Sequence, residues 1–194
     1  MEHWQYYIRG RLLEALGRAE ESITAYQAAL RVRPDFHRCS NRIAYILAGL
    51  ERYAEAEPYF GAVLRADPGN AVAHFNLGYT YDKRRQFEKA IEAFREATRL
   101  SPKIDRAWYG LGLSHAALGR HEEAAKALHE AAMLQPMNPH AWYHLGMAYH
   151  TLHRPEKVDE VVMHVLRFDP KMTRKLILDA GRSDLAHLVK DLVV

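Results

Sequence analysis

Two histidines stand four residues apart in a predicted helix, a spacing that can bind a transition metal. His140 and His144 would lie on one face of that helix, where their ring nitrogens could share zinc or nickel. His150 and His153 follow nearby. A pair of histidines with no cysteine, aspartate or glutamate at ligand spacing is weak support for a metal site. We therefore interpret these histidines as surface or groove residues in a peptide-binding role, and we expect no bound metal.

Two further side chains could carry chemistry if they were accessible. Cys39 is the single cysteine, so it cannot form an internal disulfide or a zinc knuckle. We interpret it as a small apolar residue that fills space beside a helix, with a reactive thiol as the alternative. His115 lies midway between Tyr81 and Tyr149 and takes the same place as they do in a recurring sequence pattern. We expect His115 to be a packed, hydrogen-bonded side chain rather than a general base.

The sequence motifs of common catalytic sites are absent. The chain contains no G-x-x-x-x-G-K-[ST] phosphate loop, no G-x-G-x-x-G after a predicted strand, no G-x-S-x-G elbow and no H-E-x-x-H. We predict that the protein is not an enzyme and uses no cofactor. Its net charge of +3 and pI of about 8.9 permit acidic partners. So small a charge does not favour nucleic acid as the partner.

The composition is typical of one soluble domain or a short repeat array. The 194 residues are 48% hydrophobic and 26% charged, with 11 glycines and 8 prolines, which argues against a disordered chain. No run approaches the roughly 20 apolar residues that a membrane-spanning helix needs, and the first residues do not resemble a secretory signal. We expect a cytoplasmic protein without a membrane partner.

One pattern recurs along the sequence at a fixed period. The prolines at positions 34, 68, 102, 136 and 170 are evenly spaced and close similar phrases such as ALRVRP and VLRADP. Each period holds two apolar-periodic stretches of helix-forming composition, separated by a short break such as LGR at 16–18 and 118–120. Two helices joined by so short a turn lie antiparallel. One pair alone cannot bury its apolar faces, so we expect the pairs to stack.

Leucine and glycine neighbours mark the first stretch of three periods, and tryptophan precedes two of them by three residues. They are Leu77-Gly78, Leu111-Gly112 and Leu145-Gly146, with Trp108 and Trp142 before the last two. The pattern resembles the tetratricopeptide repeat, whose 34-residue unit follows W-x₂-L-G-x₂-Y, then A-x₃-F, x₂-A and a closing proline. The resemblance implies an all-α fold, a right-handed α-solenoid of antiparallel helix pairs with a concave inner face.

The period divides the chain into five units and a tail. The units cover residues 3–36, 37–70, 71–104, 105–138 and 139–172. Arg9 stands where later units have an apolar residue, which favours a first helix with nothing stacked before it. Residues 173–194 keep helical spacing, and Ser183 is predicted as the N-cap of a last stretch that includes Leu192. We predict capping helices here; the alternative is a detachable amphipathic helix that docks on a partner or on another copy.

The first helix of each unit carries large residues at positions that the recurring core pattern does not account for. By the resemblance, these residues and their polar neighbours line the concave groove. The predicted groove residues are Trp4, Tyr7, Arg11, Arg38, Asn41, Arg42, Tyr45, Phe75, Asn76, Tyr79, Lys83, Arg106, Tyr109, Leu113, His140, Tyr143 and Met147. Glu14 and Asp82 are the main acids among them. Aromatic residues with arginine are typical of binding hot spots; the alternative is that the rings only pack against neighbouring first helices.

This groove predicts an adaptor or scaffold that binds a protein or peptide segment with apolar or aromatic anchors and some acidic character, either extended or helical. The carboxylate clamp that some family members use for chaperone tails does not match. Asn41, Tyr45 and Gly110 stand where it needs lysine, asparagine and arginine. The alternative function is a self-assembling scaffold, a homo-oligomer in which the N-terminal helix or the tail of one copy contacts another.

Overall fold

The computed structural model describes residues 1–190, which fold into eleven α-helices and one 3₁₀ helix without a strand. The α-helices are α1 (Glu2–Ala15), α2 (Ala19–Val32), α3 (His37–Gly49), α4 (Tyr53–Ala66), α5 (Ala71–Lys83), α6 (Phe87–Leu100), α7 (Asp105–Ala117), α8 (His121–Leu134), α9 (Pro139–Thr151), α10 (Pro155–Val165) and α11 (Pro170–Asp179), and the 3₁₀ helix is Ser183–Val189. The first ten α-helices form five consecutive pairs. The predicted all-α class is confirmed.

A residue with left-handed backbone reverses the chain inside every pair. These residues are Gly17, Glu51, Arg85, Gly119 and His153, with φ between 55° and 72°. In the first pair, the N–H of Arg18 donates to the carbonyl of Leu13 at 2.9 Å, which closes the end of α1. The reversal occupies the same position in every unit. Each second helix therefore folds back antiparallel against its first helix in the same register.

A large residue in the second helix fills the gap left by a glycine in the first. Tyr26 and Phe94 are buried. A Cβ atom on Gly10 would lie 2.5 Å from Cε1 of Tyr26, and a Cβ on Gly78 would lie 2.7 Å from Cδ1 of Phe94. Only a glycine fits at such a distance, so the alternation of small and large residues produces the close packing within each pair.

Phe94 also joins its own pair to the next one. A Cβ on Gly110 of α7 would lie 2.5 Å from Cζ of Phe94, so the ring is held between α5 and α7. Each pair contacts the pair that follows it, and the first helices α5, α7 and α9 also contact one another in sequence. The pairs therefore stack into an α-solenoid in which successive first helices share one face.

The tail folds differently from its prediction in two details. Helix α11 begins at Pro170, before residue 173, and buries Leu176 and Ile177. Ser183 is the first residue of the 3₁₀ helix and makes no side-chain cap. Residues 180–182 join the two helices, with Gly181 at φ 63°, and Arg182 rather than Ser183 takes the N-cap position. The predicted Leu192 lies outside the described residues.

The outer face of α1 carries an apolar stripe. Ile8, Leu12 and Leu16 are spaced by four residues and are exposed, as is the predicted Arg9 beside them. In the last three units the position of Leu12 is taken by buried residues, among them Ser114, whose hydroxyl donates to Asp82 of the preceding first helix at 3.2 Å. The stripe on α1 is therefore the face that in later units receives the preceding first helix.

Candidate functional site

Exposed aromatic rings stand on the face made by the first helices. Tyr45 of α3 is 43% exposed and Tyr79 of α5 is 41% exposed, which is unusual for large rings inside a packed stack. The amide of Asn76 donates to the hydroxyl of Tyr45 at 2.8 Å and so links the two helices across this face. The alternative that the first-helix rings only pack against their neighbours therefore does not account for Tyr45 and Tyr79.

A cavity of about 430 Å³ opens between α3 and α5, and we call it the α3–α5 pocket. Its lining residues are Tyr45, Ala48, Gly49, Phe60, Phe75, Asn76, Tyr79 and Arg106. The sequence predicted five of the eight and missed Ala48, Gly49 and Phe60. Gly49 holds the position in its unit that the predicted Lys83 holds in the next, and this shared register is the signal that could have found it. Phe60 belongs to a second helix, α4, and is almost fully buried.

Three predicted cations lie over aromatic rings of this face. The guanidinium of Arg38 is 5.6 Å from the ring centre of Trp4, the ammonium of Lys83 is 5.2 Å from that of Tyr79, and the guanidinium of Arg106 is 5.3 Å from that of Phe75. Such stacking fixes a cation against a ring without neutralising its charge.

None of these three cations has a carboxylate within 4.0 Å among residues 1–190. Several arginines elsewhere are paired with carboxylates: Arg52 with Glu20 and Glu55, and Arg154 with Glu122 at 2.6 Å. These three cations of the first-helix face therefore have no direct ion-pair partner in the described part of the chain; Lys83 interacts electrostatically with its neighbour Asp82.

The two acids predicted for the groove are already occupied. Glu14 accepts hydrogen bonds from Arg42 and from the hydroxyl of Tyr26. The Nε of Arg42 lies 3.1 Å from a carboxylate oxygen of Glu14, and the Tyr26 hydroxyl lies 2.8 Å from it. Burial raises the pKa of Tyr26. Burial also raises the pKa of Asp82, which accepts from Ser114. Arg42, predicted as a groove residue, is consequently a structural residue: its partner lies on the preceding first helix and holds it there.

The first unit contributes a cluster of rings at one end of this face. Trp4 and Tyr7 pack edge to face, with ring centres 5.6 Å apart, and both also contact the buried Phe36. Tyr7 raises the pKa of the neighbouring Arg11. Asn41 is half-buried on α3. Trp4 and Arg11 stay exposed, so this end offers one ring face and one further cation.

Predicted residues at the other end of the face are more involved in packing. Tyr109 is half-buried, with its ring 5.8 Å from that of His144, and burial raises the pKa of its hydroxyl. The hydroxyl of Tyr143 donates to Asp179 of α11 at 2.6 Å. The remaining predicted residues here are Leu113 and Met147, which pack against the core, and His140, which is exposed. At this end of the face, the alternative that the rings pack against neighbouring helices therefore accounts for the predicted residues.

The candidate chemical residues are placed as follows. Cys39 is buried, and burial raises the pKa of its thiol to about 12, so it is the packed residue that was predicted. His115 is buried as predicted, but the predicted hydrogen bond is absent at its Nδ1, which has no partner within the described residues. Burial lowers its pKa. Residues 1–190 contain no group of three or more histidine, cysteine, aspartate or glutamate side chains that could hold a metal ion.

The geometry defines a helical-repeat solenoid with an aromatic, cationic face on its first helices. The tetratricopeptide repeat model matches residues 7–71, 75–133 and 118–157, well over half of the chain. The chain belongs to the tetratricopeptide repeat family. No curated protein matches the sequence. None of the helices in the described part of the chain is long and apolar enough to cross a membrane.

Solved structures share the fold along almost the whole chain. One is YrrB, a TPR protein with an unusual peptide-binding site, with 23% identity, a TM-score of 0.80, and coverage of 91% of this chain and 90% of that one. Another is MamA from Desulfovibrio magneticus RS-1, with 22% identity, a TM-score of 0.75, and coverage of 93% and 96%. PilF of Pseudomonas aeruginosa has 15% identity, a TM-score of 0.74, and coverage of 97% and 87%. Identities this low establish the fold alone.

Proposed function

We propose that the protein is a non-enzymatic adaptor that binds a segment of another protein on the face of its first helices. One observation carries the proposal: exposed rings of Tyr45 and Tyr79 lie beside cations that the described chain leaves without carboxylate partners. Rings of this kind bury a large area at low entropic cost, and the cations select negative charge. The bound segment has aromatic or apolar anchors and acidic residues.

The family supports this proposal, because tetratricopeptide repeats are interaction modules rather than enzymes and YrrB, which shares the fold, has a peptide-binding site. The low net charge of +3 favours an acidic peptide over nucleic acid, which would need a broader basic surface. A cytoplasmic location stays a prediction.

Changing Tyr79 to alanine tests the proposal. We expect partner binding to weaken by more than about 1 kcal/mol, because an exposed hot-spot ring is lost. The helical circular dichroism signal should stay unchanged, since Tyr79 is not a core residue. The measurement is an affinity pull-down from the source cell, read by mass spectrometry and followed by titration of the captured protein.

Leu178→Ala is the control, because Leu178 lies on α11, not on a first helix, and is 70% exposed. It should retain the captured protein. Equal capture by wild type and by Tyr79→Ala would contradict the groove as the binding surface. A large loss of thermal stability in Tyr79→Ala would instead make this ring a core residue.

Self-assembly is the second candidate, and the stripe of Ile8, Leu12 and Leu16 favours it. This face receives a first helix in later units and is bare in the first. If a second copy covers it, size-exclusion chromatography with light scattering should show an oligomer that dissociates on dilution. Leu12→Glu should abolish that oligomer, and Met133→Glu, at an exposed position on α8, should not. A monomer at every concentration would rule the candidate out.

A further inference from the structure

The α3–α5 pocket has the form of a binding site for one side chain. Its assignment to the bound segment rests on the proposed function. Its walls are the faces of Tyr45, Tyr79 and Phe75, with buried Phe60 at its base. The walls are held in place: the ring of Tyr45 packs edge to face on Phe60 at 6.0 Å, and that of Tyr79 on Tyr53 at 6.1 Å. The cavity is therefore preformed, which lowers the entropic cost of filling it.

Gly49 lines the pocket without contributing a side chain. A Cβ atom on Gly49 would have no heavy atom within 4 Å, so the residue is not required for packing. Its backbone is helical, as the last residue of α3. The same position in the other units holds Ala15, Lys83, Ala117 and Thr151, all of which carry a side chain. The absence of a side chain thus distinguishes the junction of α3 and α5 from the equivalent junctions.

The cations Arg106 and Lys83 at the rim indicate which chemistry the occupant of the pocket has. The pocket itself is mostly aromatic, but Arg106 lines it while resting on Phe75, and Lys83 rests on the outer ring wall, Tyr79. Neither cation has a carboxylate within 4.0 Å among the described residues. An aromatic side chain matches the walls, and carboxylates beside it in the ligand match the rim.

We propose that the α3–α5 pocket takes a single aromatic side chain of the bound segment, and that aspartate or glutamate residues adjacent to that side chain pair with Arg106 and Lys83. Gly49 is then a specificity-determining residue, because its missing side chain gives the ring room to enter. The Tyr45 to Asn76 hydrogen bond fixes the wall on the opposite side.

The test uses a phage-displayed library of random twelve-residue peptides, selected on the full chain. We expect the selected peptides to share one aromatic residue flanked by aspartate or glutamate. For the best of them, labelled and titrated by fluorescence anisotropy, Gly49→Leu should raise Kd about tenfold or more, because leucine fills the pocket. Ala117→Leu is the matched control at the same register in the fourth unit, where the alanine is exposed, and it should change Kd less than about twofold.

The charge arm uses amide forms of the same peptide. Replacing its acidic residues by asparagine or glutamine should raise Kd for the wild type and have little further effect on a Lys83→Gln, Arg106→Gln double variant. The inference is overturned if Gly49→Leu binds like the wild type or if the selected peptides share no aromatic residue. An Arg38→Glu variant, on the first-helix face but outside the pocket, separates the two proposals. If it loses the peptide while Gly49→Leu keeps it, the pocket assignment fails alone; if both keep it, the proposed function fails as well.

Discussion

Phe94→Ala is expected to lower the free energy of unfolding by about 3–5 kcal/mol, the cost of removing a fully buried aromatic side chain. Phe94 is 1% exposed and touches two glycines of successive first helices, Gly78 and Gly110. The cavity would therefore open both within a pair and between pairs. Urea denaturation followed by circular dichroism should show a lower midpoint and a broader transition, because the coupling between neighbouring units weakens.

The matched control is Leu178→Ala on α11, where the side chain is 70% exposed and the change should be within about 0.5 kcal/mol. Filling the gap from the opposite side gives a second check. Gly110→Ala alone should destabilise, since its Cβ would meet the ring at 2.5 Å. Combined with Phe94→Leu it should cost less than the two single changes together. An unshifted midpoint in Phe94→Ala would contradict the role of this ring in joining the units.

Deletion of residues 170–194 should destabilise the remaining solenoid by several kcal/mol and cause aggregation. Helix α11 buries Leu176 and Ile177, and each fully buried aliphatic side chain contributes roughly 1.5–3 kcal/mol. Cδ1 of Leu176 lies 2.8 Å from where a Cβ on Gly146 would stand, so the helix sits directly against α9. Its removal uncovers the apolar side of the last pair, which a terminal repeat must not expose.

Light scattering and urea denaturation of the truncated chain measure both effects. Two point variants in the full chain distinguish the loss of the capping contact from other effects of shortening the chain. Leu176→Asp should reproduce much of the destabilisation, whereas Leu178→Asp, two residues on and exposed, should leave the midpoint in place. A truncated chain that stays monomeric with the wild-type midpoint would refute the capping role and leave the detachable helix as the better interpretation of the tail.

The fold could be predicted because it depends on a local pattern repeated in phase. Small residues such as Gly78 and large ones such as Phe94 recur at the same positions of successive units, and this recurrence fixes which faces meet, whatever the rest of the chain does. The start of the last helix was not predicted correctly. Ser183 has the type of an N-cap residue, but it is already part of the 3₁₀ helix, and Arg182 takes the N-cap position.

The candidate site could be predicted only where it depends on the position of a residue within the repeat unit. Register places Tyr45 and Tyr79 on the first-helix face, and the structure has both rings exposed there. Register cannot say which charges are paired, because pairing depends on side-chain conformations and on partners from another unit. Arg42 illustrates this, since its partner Glu14 belongs to a different helix in the preceding unit. Gly49 illustrates the converse, because a pocket made by a missing side chain leaves no residue type to recognise.

The repeated direction of the first helices gives their shared face an electrical polarity. Because the units repeat, α1, α3, α5, α7 and α9 run parallel, and the aligned peptide dipoles leave partial positive charge at every N-terminus along one edge. Arg38 stands in the first turn of α3, which holds no acidic residue, and so adds a full positive charge to the end of the helix dipole that least favours one. A bound anion on that edge would relieve this repulsion. Under the proposed function, the same helices would favour a position near that edge for a negative group of the ligand.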